Sequence, residues 1–266
     1  AHNRRMDKTQ GSAVGMSNDA RTVLITGASR GIGAACAIGC ATAGWDVAVN
    51  YTRDSAAAER VAREVRALGR RAIHVQADVA DEAALLAMFA RIDAEMPPLA
   101  GLVNNAGVVD AMARVDQTSL ARLSRMFAIN VFGAFLCARE AIKRMSTKHG
   151  GAGGAIVNLS SVAAKLGGPG WYVDYAASKG AIDTFTVGLA REVAAEGIRV
   201  NAVRPGIIDT DIHASGGQPD RAHQSAALIP MQRPGTAEEV AEAVVWLLGD
   251  AARYTTGAIL DVSGGR

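Results

Sequence analysis

The sequence is poor in aromatic residues and in cysteine, and both shortages limit what the chain can be. Only 5% of its 266 residues are aromatic, whereas 49% are hydrophobic and 20% are charged. Alanine, valine, leucine and isoleucine must therefore build the core, and one α/β domain suits this length better than two small domains. The three cysteines, Cys36, Cys40 and Cys137, form no CxxC pair. We therefore expect small core residues, no disulfide framework and a cytoplasmic location.

Long runs of one charge and long hydrophobic runs are both missing. The net charge is +2 and both signs are scattered, which argues against a nucleic-acid partner. No apolar run approaches the length of a membrane span, so no membrane partner is expected. Residues 1–20 are polar and aperiodic, and they predict a flexible tail, in part an appended sequence, before a domain over residues 21–266.

Several catalytic motifs are also absent. The sequence has no HExxH or other ligand spacing among its five histidines, no Lys-Ser/Thr after its glycine turn and no GxSxG elbow. A metal enzyme, a P-loop nucleotidase and a serine hydrolase are therefore not expected. The histidines are His2, His74, His149, His213 and His223.

Short β-branched runs alternate with longer helical runs from Arg21 onward. This alternation predicts a single-domain Rossmann fold, a doubly wound parallel sheet of about seven strands with helices on both faces. The predicted strands are Thr22–Thr26, Asp46–Tyr51, Ala72–Gln76, Ala100–Asn104, Ala155–Ser160, Ile198–Val203 and Ala258–Val262. The predicted helices are a first one ending near Ala43, then Ser55–Leu68, Asp81–Met96, Ser119–Met145, Tyr175–Ala195 and Thr236–Leu248. Residues 206–234 lack a clean period, and we expect them to form a lid over the carboxyl edge of the sheet.

The first βα turn carries a glycine pattern that is typical of dinucleotide binding. Gly27 permits the tight turn, Gly31 lets backbone approach a pyrophosphate, and Gly33 lets the helix lie close to the sheet. The helix N-terminus then offers free N–H groups to phosphates. The intervening Ser29, Arg30 and Ile32 belong to the same predicted cofactor site.

The end of the second strand bears on the choice between NAD and NADP. NAD sites usually place an acid there, whereas this chain has Asn50, Tyr51 and Arg53, with no acid before Asp54. Arg30 and Arg53 could pair with a 2′-phosphate, and the alternative is that both are solvated surface residues. We therefore expect NADP(H) to be favoured over NAD(H).

Two further strand ends are candidates for the cofactor groove. Asp78, followed by Val79, either caps the next helix or contacts the adenine edge. Asn105, Ala106 and Gly107 end the fourth strand, where an asparagine before glycine can line the groove.

Tyr175 and Lys179 are the candidates for general acid–base chemistry on a carbonyl or alcohol oxygen. Their i,i+4 spacing places both side chains on one helix face, and a nearby ammonium should lower the pKa of a phenol. Ser161, with Ser160 as its rival, closes the fifth strand and can hold a substrate oxygen. Asn130 is a polar residue among apolar neighbours, and a water held there could relay protons to Lys179.

The ordered motifs resemble the classical short-chain dehydrogenase/reductase family, in particular 3-oxoacyl-carrier-protein reductases and glucose 1-dehydrogenase-like members. The motifs are TGASRGIG (26–33), NNAG (104–107), Asn130, SS (160–161), YAASK (175–179) and RPG (204–206). The resemblance implies that Tyr175 is the general acid–base, that Lys179 lowers its pKa and binds the nicotinamide ribose, that Ser161 orients the substrate and that Asn130 completes a proton relay. It also implies nicotinamide contacts from Pro205, Gly206, Ile208 and Thr210, and a homotetramer or dimer.

The expected activity is the interconversion of a small ketone or aldehyde and a secondary alcohol. A 3-oxoacyl thioester and a sugar or polyol remain alternative substrates, although Glu196 stands where the carrier-protein reductases often have a base. The spacing from Ser161 to Tyr175 is one residue longer than is common in the family, and a loop over Lys165–Tyr172 should absorb it. A non-catalytic dinucleotide sensor on the same fold is the alternative of a different class.

Overall fold

A seven-stranded parallel sheet forms the centre of the protein. The computed structural model describes residues 20–210, 224 and 226–266. Every strand pair is parallel and the strand order is β3-β2-β1-β4-β5-β6-β7, so the expected doubly wound sheet is confirmed. The strands are β1 (Thr22–Ile25), β2 (Asp46–Tyr51), β3 (Ala72–Gln76), β4 (Leu99–Asn104), β5 (Gly154–Leu159), β6 (Ile198–Pro205) and β7 (Ile259–Val262).

Helices cover both faces of this sheet, as expected for strands that are apolar on both sides. The helices are α1 (Gly31–Thr42), α2 (Ser55–Ala67), α3 (Glu82–Glu95), α4 (Leu120–Phe127), α5 (Gly133–Met145), α6 (Ala163–Leu166), α7 (Val173–Val193) and α8 (Ala237–Leu248). One core lies under α1, α2 and α8, and a second lies under α3, α5 and α7. Cys36 and Cys40 are buried in the first core and Cys137 in the second, so their role as core residues is confirmed.

The long helical stretch predicted over Ser119–Met145 is confirmed as a continuous run from Leu120 to Met145. Within it, a π-helical segment at Ala128–Phe132 separates α4 from α5 and was not predicted. By length and composition Leu120–Met145 could cross a membrane, although charged residues interrupt its apolar sequence. Here α5 packs its buried face against the sheet, as a core helix does.

The segment after β6 has its two ends tied together. Ile208 and Gly235 form a parallel bridge, and the Asp209 N–H donates to the Gly235 carbonyl. The Thr236–Glu239 capping box begins α8 as predicted. The middle of the expected lid, with His213 and His223, lies outside the described residues, as does nearly all of the expected N-terminal tail. The lid therefore stays a prediction.

Candidate active site

The glycine turn packs so closely that side chains have no room at two of its three glycines. A Cβ on Gly33 would lie 2.5 Å from the Gly27 carbonyl oxygen, and a Cβ on Gly27 would lie 3.0 Å from the Ala106 Cα. Gly31, by contrast, faces Thr210 across a gap, with 3.7 Å to the nearest atom from a built Cβ. Gly27 and Gly31 both have a positive φ, at 62° and 55°. The turn therefore brings bare backbone to an open crevice.

The N-terminus of α1 has N–H groups that no side chain caps. Its N-cap residue is Arg30, which has an extended backbone and makes no capping hydrogen bond. Arg30 is exposed, Ser29 is half-buried, and Ile32 lines the cavity described below. Free N–H groups at a helix N-terminus bind phosphate, so the residues present fit the pyrophosphate of a dinucleotide.

Asn50 holds the turn in place from the second strand. Its side-chain oxygen accepts from the Gly27 N–H at 3.1 Å, and its amide nitrogen donates to the Val75 and Ala77 carbonyls at 3.3 and 3.0 Å. The side chain is 1% exposed. Asn50 therefore stabilises the cofactor turn from beneath it, with its hydrogen bonds directed to backbone atoms.

The charges beyond β2 favour a phosphate. The Asp54 carboxylate, the first acid after the strand, caps α2 by accepting from the Ala57 N–H at 2.8 Å. Arg53 is exposed, and neither Arg53 nor Arg30 forms an ion pair with another residue that the structure describes. Tyr51 is buried and packs against His74, with ring centroids 5.8 Å apart. The guanidinium groups of Arg30 and Arg53 are thus the exposed charges near the end of β2, and the Asp54 carboxylate is engaged in capping α2.

One alternative for Asp78 is wrong. The N-cap of α3 is Asp81, whose carboxylate accepts from the Ala83 and Ala84 N–H groups, whereas Asp78 accepts from the Ala80 N–H within the preceding turn. The predicted helix start at Asp81 is the N-cap of α3, and Asp78 lies in the turn that precedes it. Val79 is buried and packs against Gly133, where a Cβ would lie 2.6 Å from a Val79 methyl.

Asn105 binds the glycine turn from the other side. Its amide nitrogen donates to the Thr26 and Gly27 carbonyls at 2.9 and 3.0 Å, and Asn105 and Ala106 both donate their N–H to the Thr26 hydroxyl at 3.0 Å. The β4 end is thereby fixed to the β1 end at the point where the chain order of the sheet reverses. This is the position at which open α/β sheets bind ligands.

Tyr175 and Lys179 lie on α7 and line the same cavity. The Lys179 Nζ is 5.7 Å from the centroid of the Tyr175 ring and donates to the Leu159 carbonyl at 2.7 Å. Burial lowers the pKa of Lys179 from 10.5 to about 8, while the Asp183 carboxylate opposes that shift. The chain therefore keeps a buried ammonium next to a phenol.

The two serines at the end of β5 have different surroundings. Ser160 is buried and its hydroxyl donates to the Lys179 carbonyl at 3.2 Å. Ser161 is half-buried, and its hydroxyl accepts from the Ala163 N–H at 3.1 Å. Both serines line the cavity described below, but the Ser160 hydroxyl already donates its proton to a carbonyl. A hydroxyl that accepts from an N–H still has its proton to donate. This arrangement favours Ser161 over Ser160 for contact with a substrate oxygen.

Asn130 lies in the π-helical segment. Its oxygen accepts from the Val108 N–H at 2.8 Å, and its amide donates to the Val108 carbonyl at 3.0 Å and to the Ser178 hydroxyl at 3.1 Å. A Cβ on Gly107 would lie 3.5 Å from both the Asn130 oxygen and the Lys179 Nζ. Gly107 thus borders a gap between the amide and the ammonium, next to a π-helix of the kind common at functional sites.

Ser160, Ser161, Tyr175 and Lys179 line one cavity of about 380 Å³ at the carboxyl edge of the sheet. That volume lies within the ordinary range of small-molecule sites. The lining includes residues predicted to flank a nicotinamide, together with parts of the glycine turn and of the β4 end: Ile32, Asn105, Gly107, Pro205, Gly206, Ile208 and Thr210. It also includes a mainly apolar set, which we call the substrate wall: Val109, Val162, Ala163, Leu166, Pro169, Trp171, Tyr172, Ile207 and Leu228.

Sequence reasoning missed part of this wall. The segment between Ser161 and Tyr175, which is one residue longer than is common in the family, forms the short helix α6 and the turns over Gly167–Tyr172. Leu166 of α6 lines the cavity. Trp171, Tyr172 and Leu228 line the cavity, whereas Met231 is 61% exposed and does not. Arg266 also lines the cavity, and no local signal in the sequence predicted that contact.

An ion pair fixes the start of α7. Arg122 of α4 donates to both carboxylate oxygens of Asp174, at 2.7 and 3.2 Å, and also to the Ala111 carbonyl at 2.6 Å. Asp174 directly precedes Tyr175, and both members of the pair are largely buried. The loop after β4 and α7 are therefore held together next to the cavity.

Comparisons with known proteins agree with this arrangement. Residues 27–266 match the family described as "Enoyl-(Acyl carrier protein) reductase". The chain is 56% identical over 243 residues to "Uncharacterized oxidoreductase YgfF" of Escherichia coli (strain K12), covering 91% of this chain and 98% of that protein. This chain belongs to the short-chain dehydrogenase/reductase family. It is an oxidoreductase of that family and uses a nicotinamide dinucleotide.

Two other relatives bear on the cofactor. The "NADPH-dependent aldehyde reductase-like protein, chloroplastic" of Arabidopsis thaliana is 39% identical, with 92% of this chain and 93% of that protein covered. A crystal structure of a short chain dehydrogenase from Burkholderia cenocepacia J2315 in complex with NADP superposes with a TM-score of 0.83 at 35% identity, covering 91% of this chain and 96% of that chain.

Proposed function

We propose that this enzyme interconverts a small ketone or aldehyde and a secondary alcohol, with NADP(H) as the hydride carrier. The observation that carries the proposal is the single cavity lined by Tyr175, Lys179 and Ser161 on one side of the glycine-turn crevice. The cavity therefore combines a proton donor (Tyr175), a positive charge that favours its ionisation (Lys179) and a hydrogen-bond donor for the substrate oxygen (Ser161).

Each of these residues has a role that follows from its position. The bound nicotinamide supplies or accepts the hydride. The Tyr175 hydroxyl gives a proton to the carbonyl oxygen in reduction and takes one from the alcohol in oxidation. The Lys179 ammonium favours the phenolate form of Tyr175, and Ser161 donates a hydrogen bond that orients the substrate oxygen.

Asn130 is proposed to act through water. The gap next to Gly107 separates its amide from the Lys179 ammonium, and a water there would connect Lys179 to solvent. Asn130 itself is held rigidly, because it binds both backbone polar groups of Val108.

The preference for NADP over NAD rests on the end of β2. Asn50 brings no negative charge, Asp54 is used in capping, and Arg30 and Arg53 are exposed cations near the turn. A 2′-phosphate would be repelled by a free carboxylate and attracted by two guanidinium groups. The relative named for NADPH and the neighbour solved with NADP support the same preference.

The walls of the cavity favour an apolar carbonyl compound over a sugar or polyol. The substrate wall is mainly aliphatic and aromatic, so it offers few partners to several hydroxyl groups. A 3-oxoacyl thioester remains the second candidate, because a 3-oxoacyl-[acyl-carrier-protein] reductase of Staphylococcus aureus is 36% identical to this chain. Glu196, which accepts from the Ser146 hydroxyl at 2.5 Å, places an acid near the end of α7, where an acidic carrier protein would be disfavoured.

We further propose that the enzyme forms a homotetramer or dimer through α5 and α7. Phe132 and Phe135 are 57% and 47% exposed, and Phe135 stacks on Phe185 of α7 with ring centroids 3.8 Å apart. Burying such a patch between subunits would be favourable. The cytoplasmic location expected from the free cysteines stays a prediction.

The decisive experiment measures NADPH oxidation with a panel of aldehydes and ketones in the wild type and in Tyr175→Phe. We expect turnover with apolar carbonyls, and a loss of about two to four orders of magnitude in Tyr175→Phe, because a general acid contributes that much. NADPH affinity should remain nearly intact. Cofactor binding without turnover across the panel, unaltered by the substitution, would instead support a dinucleotide sensor.

A further inference from the structure

Four charged side chains form one connected ion-pair network at the carboxyl ends of β6 and β7. Arg204 of β6 donates through Nε and Nη2 to the Asp183 carboxylate of α7, at 3.0 and 2.7 Å. Its third nitrogen, Nη1, is 3.5 Å from one carboxylate oxygen of Asp261 in β7, and Lys165 of α6 donates to the other oxygen at 2.6 Å. Carboxylates and cations therefore alternate from α7 across two strands to α6.

The sheet fixes the middle of this network. Arg204 and Asp261 are register partners in the parallel pairing of β6 with β7, so their side chains leave the same face of the sheet. That face is covered by α7, because Arg204 binds Asp183 there. The side chains of Arg204 and Asp183 are 17% and 12% exposed, whereas those of Asp261 and Lys165 are 32% and 52% exposed. The network therefore has a buried anchor on α7 and an accessible end on α6.

The helix α6 depends on contacts with the rest of the domain for its position. It has four residues and ends at Gly167, whose φ is 74°. So short a helix is not stable by itself in water. Leu166 lines the cavity but is 49% exposed, so its own burial holds α6 only weakly. The neighbouring Lys165, which points about 100° away around the helix, binds Asp261 and so connects this turn to the sheet.

We propose that Lys165, Asp261 and Arg204 are positioning residues that fix Leu166 in the substrate wall and thereby set the affinity for bulky apolar carbonyl compounds. This inference rests on the proposed function, because the substrate would contact the wall while its oxygen lies at Tyr175. The network ends on α7, the helix that carries Tyr175, so it holds the wall at a fixed distance from the proton donor. A carbonyl compound too small to reach Leu166 should be indifferent to the network.

The first test compares the reduction of 4-phenylcyclohexanone and cyclohexanone in the wild type, Lys165→Met and Lys165→Arg. We expect Lys165→Met to raise KM for the bulky ketone by about two- to fivefold, the value of a partly exposed ion pair, with little change in kcat. Cyclohexanone should be affected little, and Lys165→Arg should restore the wild-type KM. The control is Arg91→Met, which breaks an ion pair of similar exposure on α3; Arg91 is not among the described residues that line the cavity. Equal changes for both ketones, or none, would overturn the proposal.

A double-mutant cycle shows whether the network acts through Leu166. Leu166→Ala alone should raise KM for 4-phenylcyclohexanone, because the ketone loses an apolar contact. If Lys165 acts only by holding Leu166 in place, Lys165→Met should cause no further change when it is added to Leu166→Ala. A general loss of structure would instead make the two effects additive, and additive effects would overturn the proposal.

A binding measurement separates this proposal from the proposed function. Calorimetry follows 4-phenylcyclohexanone binding to the full chain saturated with NADP⁺, where neither compound can supply a hydride. Lys165→Met should weaken this binding by about two- to fivefold, whether or not any carbonyl is reduced with NADPH. If binding depends on Lys165 but no carbonyl is reduced, the proposed function fails alone. If carbonyls are reduced but binding is the same in Lys165→Met, the network proposal fails alone, and a wild type that does not bind the ketone would overturn both.

Discussion

The cofactor side and the substrate side of the crevice are built in different ways. On the cofactor side, side-chain amides of Asn50 and Asn105 bind the backbone of the glycine turn, and Gly33 packs against the Gly27 carbonyl. On the substrate side, Leu166 and Trp171 are each nearly half exposed and lie on a short helix and a turn. Elements of strand and helix fix the nucleotide crevice, whereas loops form the wall that faces the substrate.

This contrast shows how one scaffold can serve different substrates. A dinucleotide has a constant shape, so its binding site can be fixed by close backbone packing that tolerates little change. A wall made of exposed loop residues can change without disturbing the sheet. The helix α7, which carries Tyr175 and Lys179, is held to the loop after β4 by the buried Arg122–Asp174 pair.

The largest effect is expected on the cofactor side, from Gly33→Ala. The new methyl group would lie 2.5 Å from the Gly27 carbonyl oxygen, so the turn or α1 must shift. We expect NADPH affinity to fall by about a hundredfold, equivalent to about 3 kcal/mol of overpacking. The control is Gly180→Ala on α7, where a Cβ meets nothing within 4 Å. Fluorescence titration with NADPH measures both, and equal affinities would show that the turn is not closely packed.

The next prediction concerns the buried ammonium of Lys179. Because burial lowers the pKa of Lys179 to about 8 from 10.5, the folded protein binds fewer protons than the unfolded chain in this range. The cost of burying the ammonium is therefore fully present below pH 8 and is relieved as the pH rises. The stability of the wild type relative to Lys179→Met should increase by about 2 kcal/mol between pH 7 and pH 10. Urea unfolding at both pH values measures it, and a constant difference would contradict the burial of a charged lysine.

Gly107→Ala tests the gap beside Asn130. The added methyl group would lie 3.5 Å from the Asn130 oxygen and from the Lys179 Nζ, an ordinary contact that needs no rearrangement. It would fill the space proposed for a relay water, and kcat should fall by about tenfold, within the usual contribution of a proton-transfer step. Unfolding by urea serves as the control and should change little. An unchanged kcat would contradict the proposed water relay between Asn130 and Lys179.

The smallest effect is expected from Arg53→Ala on the cofactor side. Because Arg53 is exposed, its pairing with a 2′-phosphate is partly screened by solvent and should contribute about 1 kcal/mol, or roughly a fivefold change in NADPH affinity. NADH affinity should not change. Arg63→Ala on the exposed face of α2 is a matched control for the loss of one charge. Equal weakening of both cofactors would refute the assignment.

The sequence predicted the strands far better than it predicted the loops. The bounds of β2 and β3 agree with their predictions, because each is a short apolar run in a repeating βαβ pattern. The π-helical turn around Asn130 was missed, since one altered turn leaves the apolar pattern of the helix unchanged. The only sequence signal for it was the buried amide itself.

The residues of the candidate site also differ in how far the sequence predicts them. The glycine turn and the Tyr175–Lys179 pair follow from local spacing, so they could be predicted residue by residue. The hydrogen bond of Asp78 to the Ala80 N–H depends on how the chain turns after β3, which composition does not specify. The contact of Arg266 with the cavity arises because β7 and the turn after it pack beside the segment that precedes α8. Such a long-range contact leaves no local pattern in the sequence.

The central claim is that the Lys179 ammonium makes the Tyr175 phenol more acidic, and ultraviolet titration of the phenolate measures this directly. Absorbance at the phenolate wavelength is recorded against pH for the NADP⁺-saturated wild type, Tyr175→Phe and Lys179→Met. The account predicts one tyrosine that ionises at a lower pH than the others, that is missing from Tyr175→Phe and that ionises at a higher pH in Lys179→Met. A titration curve that is identical in the wild type and in Lys179→Met would contradict it.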